Sequence, residues 1–179
     1  MTRRRSVGLF LAILMAVLAV PSSAMASVDV FLKIAGITGE SADTTHRNEI
    51  DVLSWAWGTS TGTAKTKKGT LPPACIQDVT YLSRLSAASP QLIMNGVTGT
   101  VASDAVLTVR RAGDRQQEFF RLKMTNVSVV SYQISDGSEE PTESVVLHFD
   151  SMHGEYFRQD DKGNLVTTPI VFDISGVCN

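Results

Sequence analysis

The sequence predicts a mainly β protein, a compact two-sheet β-barrel or sandwich that carries one short α-helix. Apolar residues alternate with polar ones along most of the chain after residue 27, and the runs are rich in β-branched and aromatic residues. Clusters of Gly, Asp, Asn and Pro separate these runs into about seven strands. The length of 179 residues and the 43% hydrophobic composition fit one globular domain, which we expect over residues 27–179.

The first 26 residues have the pattern of a secretory signal peptide. Arg3–Arg5 precede the apolar run Val7–Val20, and the small residues that follow end in a cleavage pattern at Ala26 and Ser27. The apolar run is 14 residues long, shorter than the roughly 20 residues with which a helix crosses a bilayer. We therefore expect cleavage, export to the periplasm or beyond, and a mature chain that does not contact the membrane.

The charge of the mature chain argues against nucleic-acid binding. Cleavage removes three arginines and no acid, which leaves 13 basic and 18 acidic residues and a net charge of −5. Proteins that bind nucleic acids use basic patches to displace counterions from phosphates. The two cysteines, Cys75 and Cys178, form a candidate disulfide because export permits oxidation, and two independent thiols are the alternative.

The first two strands are predicted from their alternation. The run Val28–Ala35 places Val28, Val30, Leu32 and Ile34 on one face. The run 49–58, EIDVLSWAWG, places Asp51, Leu53, Trp55 and Trp57 on one face and Ile50 and Val52 on the other. Because both faces are largely apolar, we expect both to be covered, by the core of the domain and by a helix or a neighbouring subunit.

The remaining elements follow the same patterns. A polar segment, Gly58–Pro73, predicts a long exposed loop, and Ile76–Tyr81 predicts a short strand. The helix is expected to begin with Ser89 as N-cap and to end at Asn95–Gly96. Three further strands are predicted over 105–112, 118–135 and 143–157, followed by a last run over 165–174. A change of apolar parity predicts a β-bulge near Asn126.

One cluster of polar residues stands before and within the second strand: Glu40, Asp43, His46, Glu49 and Asp51. Its spacing matches neither a zinc site nor a calcium-binding loop, and turn capping or salt bridges between subunits explain it as well. The chain has no nucleophile elbow, no catalytic Cys/His signature and no dinucleotide fingerprint. We therefore predict no catalytic residue, no metal site, no cofactor and no enzymatic activity, with a hydrolase as a minor alternative.

The chain resembles a known family through three segments. They are VDVFLKIAGITGESADTTHRNEIDVLSWAWG, then IQDVTYLSRLSAASPQLIMNG, then AVLTVRRAG with the long strand after it. Together they resemble the haemolysin-coregulated proteins (Hcp) of type VI secretion systems, over Val28 to about Ser175. The resemblance implies a barrel with one helix, assembly into a six-membered ring, and stacking of rings into an expelled tube that can shelter effector proteins. None of these features implies catalysis by this domain.

From the resemblance we expect Leu53, Trp55 and Trp57 to fill the barrel core. We expect the five residues of the polar cluster to lie near the ring surface, where subunits meet. The expected partners are further copies of this chain and, in addition, secretion-apparatus or effector proteins. The signal peptide departs from the family pattern, because members are usually made without one and leave through the secretion apparatus itself. A monomeric periplasmic binding or adhesion module on the same fold therefore remains an alternative.

Overall fold

The computed structural model describes residues 28–61, 69, 74–113, 116–136, 140–166 and 168–175. The predicted signal peptide, its cleavage site at Ala26 and Ser27, and Cys178 lie outside these residues. The elements are β1 (Val28–Ile34), β2 (Ile50–Ala56), β3 (Thr59–Ser60), β4 (Cys75–Ile76), β5 (Val79–Arg84), α1 (Ser89–Thr98), β6 (Val101–Arg111), β7 (Glu118–Ser135), β8 (Thr142–His148), β9 (Ser151–Tyr156) and β10 (Ile170–Ser175).

The strands form an antiparallel sheet that closes into a six-stranded barrel. Its order is β10-β9-β7-β6-β1-β2-β5-β8, and a further pairing of β7 with β8 closes the barrel. The 18-residue strand β7 pairs with two strands in succession along its length: residues 120–125 pair with β9, and residues 128–135 pair with β8. The strands β9 and β10 therefore extend beyond the barrel, and the predicted mainly β barrel with one helix is confirmed.

The barrel interior is built by alternate residues of the strands. Val30, Leu32 and Ile34 are buried on the predicted face of β1, whereas Val28 at the strand start is 52% exposed. The predicted change of parity in β7 is present, since Met124 and Val127 are both buried. Asn126 between them has a positive φ of 51°. The register shift of β7 against β8, however, lies between 129 and 131.

The strand β2 contains a bulge that the alternation does not predict. Val52 pairs with Ser83 of β5, but Ser54 pairs with Leu82, so Leu53 is an extra residue. Trp55 pairs with the buried Tyr81 and therefore shares the inner face with Val52. The prediction that Leu53 lies in the core is wrong. Leu53 follows the buried Val52, points outward and is 46% exposed, and the bulge brings Trp55 rather than Leu53 to the inner face.

The two tryptophans pack against the core at its edge. Both are half-buried. The ring of Trp55 stacks on Phe120 of β7 with centroids 5.8 Å apart, and Trp57 stacks on Phe172 of β10 with centroids 6.0 Å apart. The tryptophans therefore join β2 to the part of the sheet that extends beyond the barrel.

The helix α1 differs from its prediction at both ends. Ala88, not Ser89, is the N-cap residue, and Pro90 lies in the first turn as expected. The helix continues through Gly96 and ends before Gly99, whose left-handed φ of 69° forms the C-cap. A side chain at Gly96 would lie 3.3 Å from Val129 of β7. The glycine at 96 therefore serves close packing of the helix on the barrel rather than helix termination.

Candidate functional site

The polar cluster lies in a compact loop, Gly39–Glu49, which joins the end of β1 to β2. The backbone N–H of Ser41 donates to the carbonyl of Glu49 (3.0 Å), and the N–H of Asn48 donates to the carbonyl of Ser41 (2.9 Å). Asn48 has a positive φ of 61°. A Cβ at Gly39 would lie 2.3 Å from the carbonyl oxygen of Glu49. The glycine is therefore required for the two ends of the loop to meet.

Asp43 organises the turn inside this loop. Its Oδ1 accepts hydrogen bonds from the backbone N–H of Thr45 (2.9 Å), from the Thr45 hydroxyl (2.8 Å) and from the backbone N–H of His46 (3.1 Å). This is the capping pattern in which a short acidic side chain satisfies backbone donors of a turn. The capping role that the sequence left open for the cluster is therefore the one that Asp43 performs.

Arg110 of β6 fastens the loop to the barrel. Its Nη1 donates to Asp43 Oδ1 (3.0 Å) and its Nη2 to Asp43 Oδ2 (2.7 Å), which is a bidentate pair. Nη2 also donates to Asp29 Oδ2 of β1 (2.9 Å). The hydrogen bonds from the Arg110 guanidinium hold the pKa of Asp43 well below its usual range. Because the Arg110 side chain is only 4% exposed, these carboxylates are its main source of charge compensation.

His46 makes a second attachment between the loop and the barrel. Its ring is buried and stacks on Phe31 of β1, with centroids 4.2 Å apart and planes 6° apart. Its Nδ1 lies 2.9 Å from Glu49 Oε2 in the same loop, and its Nε2 lies 3.4 Å from Glu118 Oε1 at the start of β7. The Arg110 guanidinium lies 4.8 Å from the centroid of the same Phe31 ring.

The five predicted interface residues therefore divide into two groups. Asp43, His46 and Glu49 make contacts within the chain and hold the loop on β1, β6 and β7. Glu40 and Asp51 are exposed, and no ion pair of either is found among the described residues. Of these five residues, Glu40 and Asp51 are thus the two that remain available for contact with another molecule.

Asp51 faces an open cleft of about 530 Å³ beside the loop. The charged residues that line it are Asp29, Asp43, Asp51, Arg84 and Arg110. Arg84 is exposed and forms an ion pair with Glu140 (2.5 Å). Among the described residues, there is no group of three or more His, Cys, Asp or Glu side chains that could hold a metal ion. The described part of the chain also contains no helix that is both long and apolar enough to cross a bilayer.

Sequence reasoning missed the residues outside the cluster that give it its structure. Phe31, Glu118 and Arg110 contact the loop from three different strands. One signal was present for Arg110: it shares a face of β6 with Thr108, and an arginine within a strand needs an acidic partner when its side chain is buried. Which acid would be that partner could not be read from local spacing.

The chain is similar to known proteins over most of its length. A family model described as "Type VI secretion system effector, Hcp" matches residues 31–156. The protein named hcp1 of Pseudomonas aeruginosa is 36% identical over 142 residues, which is 76% of this chain and 88% of that protein. A type VI secretion system effector of Yersinia pestis is 27% identical with a TM-score of 0.68, covering 83% of this chain and all of that one.

A further solved structure, Hcp1 from Salmonella typhimurium, is 30% identical with a TM-score of 0.65 and covers 84% of this chain and 95% of that one. The matches include the loop Gly39–Glu49 and nearly all of the barrel. The chain belongs to the Hcp family of type VI secretion system proteins.

Proposed function

We propose that this protein is exported and assembles with identical copies into a closed ring of six, as a structural tube component or effector carrier of a type VI secretion-type system. The observation that carries the proposal is the match of the barrel and its loop to nearly the full length of Hcp proteins. The Hcp family is a structural secretion family rather than an enzyme family. The described residues supply a scaffold rather than a grouped reactive site.

The subunit contact in this proposal includes Glu40 and Asp51. Both carboxylates are exposed and lack an ion-pair partner among the described residues, whereas Asp43, His46 and Glu49 are used to hold the loop. An unpaired surface carboxylate beside a rigid loop is suited to meet a cation of a neighbouring copy. The loop therefore acts as a preformed platform for the contact.

The ring is tested by the mass and appearance of the exported protein. Light scattering after size exclusion should give the mass of six chains, and electron microscopy should show rings. Glu40→Lys and Asp51→Lys should weaken assembly, whereas Asp161→Lys, at an exposed acid outside the loop and β2, should not. A stable single chain at high concentration would overturn the ring and favour the monomeric binding or adhesion module.

Export and the disulfide belong to the same proposal. The mature chain should begin at Ser27, which mass spectrometry of the secreted or periplasmic protein measures directly. Cys75 lies half-buried in β4, and we propose that it pairs with Cys178. Denatured, unreduced protein should then show no reactive thiol. Two thiols per chain, or a mature chain that retains residues 1–26, would contradict this part of the proposal.

A further inference from the structure

The strand β10 lies at the open edge of the large sheet. Among the strands that the structure describes, it pairs with β9 alone, through residues 170–175. Ile170 and Val171 are 61% and 53% exposed, so the first residues of the strand bury little apolar surface. A strand with few buried contacts and one paired edge opens more readily than the strands of a closed barrel. The stability of β10 therefore depends on contacts other than its backbone pairing.

Phe172 attaches β10 to two other parts of the fold. Its ring covers Gly154 of β9, where a Cβ would lie 2.0 Å from the ring. The same ring stacks on Trp57, with centroids 6.0 Å apart. Trp57 follows the end of β2 and stands two positions before β3. The stack therefore brings β10 to the corner of the fold at which β2 leads into the two-stranded ribbon of β3 and β4.

The ribbon of β3 and β4 places Cys75 at the same corner. Cys75 is the first residue of β4, and it pairs in register with Ser60 of β3. The backbone N–H of Gln77 donates to the carbonyl of Gly58 (3.0 Å), which extends this pairing to the residue after Trp57. The strand β4 is therefore joined to the segment that carries the stack on β10.

A disulfide adds a covalent bond at this corner, because Cys75 is disulfide-bonded. The sequence contains one other cysteine, Cys178, which stands three positions after Ser175, the last residue of β10. A chain covers at most about 3.6 Å per residue, so a bridge between these two cysteines leaves the end of β10 little freedom. Within one chain, the bridge thus connects β10 to the ribbon of β3 and β4 in addition to the aromatic stack.

We propose that this disulfide is a redox lock on the edge strand β10, open in the reduced chain and closed after export. The inference rests on the export and the cysteine pairing proposed above. It goes beyond them because it assigns the bridge a place of action, the edge strand, and a compartment in which it acts. It concerns the single chain and does not depend on the ring.

Closing the lock is an oxidation that the compartment controls. As the S–S bond forms, the two thiols pass two protons and two electrons to a disulfide oxidant of the exported compartment, which becomes a dithiol. In a reducing cytoplasm both thiols remain, and β10 is held by its pairing with β9 and by its side-chain contacts. The strand can then open locally, which exposes the edge of β9 and the surface beneath Phe172.

Hydrogen exchange of the exported chain tests the lock. The amides of residues 170–175 that bond to β9 should exchange slowly in the oxidised protein. Reduction with a phosphine should accelerate their exchange by about ten-fold or more, because the bridge no longer restricts local opening. The comparison is made at exchange times at which the barrel strand β1 stays protected in both forms. The reductant acts only on this bridge, since the sequence contains two cysteines.

Two variants serve as controls. The double variant Cys75→Ser, Cys178→Ser should exchange like the reduced wild type, and the phosphine should not change its rates. Trp57→Leu removes the stack on Phe172 and leaves the bridge. Its β10 amides should stay protected while the protein is oxidised and should exchange faster than those of the wild type once it is reduced.

Each outcome decides the proposal. Exchange of β10 that is the same in the oxidised and reduced protein overturns the lock, even where the bridge forms. Equal acceleration of β10 and β1 overturns it as well, because the bridge then stabilises the whole fold and not the edge strand. Peptide mapping of the unreduced protein identifies the bonded cysteines. Two free thiols, or a link between two chains, overturn the lock together with the proposed pairing and leave the ring standing.

Discussion

Asp43 and Arg110 stand 67 positions apart in the chain and form a bidentate ion pair in which both carboxylate oxygens accept from the guanidinium (3.0 and 2.7 Å). The pair fastens the Gly39–Glu49 loop to β6, and Asp29 adds a contact from β1. The most recognisable segment of the sequence is thus held in place by a residue far outside it. The loop and the barrel form one continuous surface as a result.

Removing the cation should destabilise the protein strongly. Arg110→Gln leaves the mostly buried carboxylate of Asp43 without its cation, and we expect a loss of about 3 kcal/mol in the free energy of unfolding. Urea denaturation measures the loss. The control is Arg111→Gln, because the neighbouring arginine is exposed and its guanidinium lies 5.4 Å from the ring centroid of Phe119, so its loss should stay below about 1 kcal/mol. Equal losses would contradict the role of the buried ion pair.

The same pair predicts a loss of stability in acid. The pKa of Asp43 is lowered in the folded protein from its ordinary value of 3.8, chiefly by the hydrogen bonds from Arg110. Its contribution to stability is therefore complete above that value and is lost as the pH falls below it. The urea midpoint should decrease between about pH 5 and pH 2. Asp43→Asn should lower the midpoint at pH 7 and flatten this decrease, whereas Asp161→Asn should do neither.

The bulge in β2 predicts unequal effects of neighbouring apolar residues. Trp55 faces inward and stacks on Phe120, so Trp55→Ala should cost about 3 kcal/mol. Leu53 faces outward and is 46% exposed, so Leu53→Ala should cost less than about 1 kcal/mol. Chemical denaturation of both variants measures the difference. A larger cost at Leu53 would show that the strand keeps simple alternation without the bulge.

Gly154 of β9 should tolerate no side chain while Phe172 faces it. The two residues pair across β9 and β10, and a Cβ at Gly154 would lie 2.0 Å from the Phe172 ring. Gly154→Ala should therefore cost about 2 kcal/mol through overpacking. Combined with Phe172→Leu, it should cost less than the sum of the single losses, by about 1 kcal/mol in a double-mutant cycle. Strict additivity of the two losses would contradict the contact.

Much of the fold followed from local patterns, and the errors have one cause. The inner face of β1 is correctly predicted because Val30, Leu32 and Ile34 alternate without interruption. The alternation in β2 is equally regular, yet Trp55 does not share the face of Leu53, because the bulge is set by pairing with β5, whose Ser83 lies 31 positions beyond its partner Val52. The end of α1 was misplaced for a similar reason. Glycine is a common helix-terminating residue, but Gly96 lies inside α1 and allows the helix to pack closely against Val129.

The candidate site, too, was predicted only in part from the sequence. The sequence alone shows that carboxylates and an imidazole are concentrated in residues 40–51, and it carries the resemblance to Hcp proteins. It does not show which of them are used within the chain. That division depends on Arg110 and Glu118, which reach the loop from other strands. An unpaired surface acid and a paired one have the same local spacing.

What the sequence by itself determined is the alternation that makes a β-barrel with one helix, the acidic composition, and the family. What only the tertiary structure decided is that Trp55 faces inward while Leu53 does not, that Asp43 meets Arg110, and that Phe172 of the edge strand β10 stacks on Trp57. The physical reason is the separation along the chain of the residues that determine each feature. Periodicity is a property of neighbouring residues, whereas strand register, ion pairs and exposed faces are set by residues that come together only when the sheet closes.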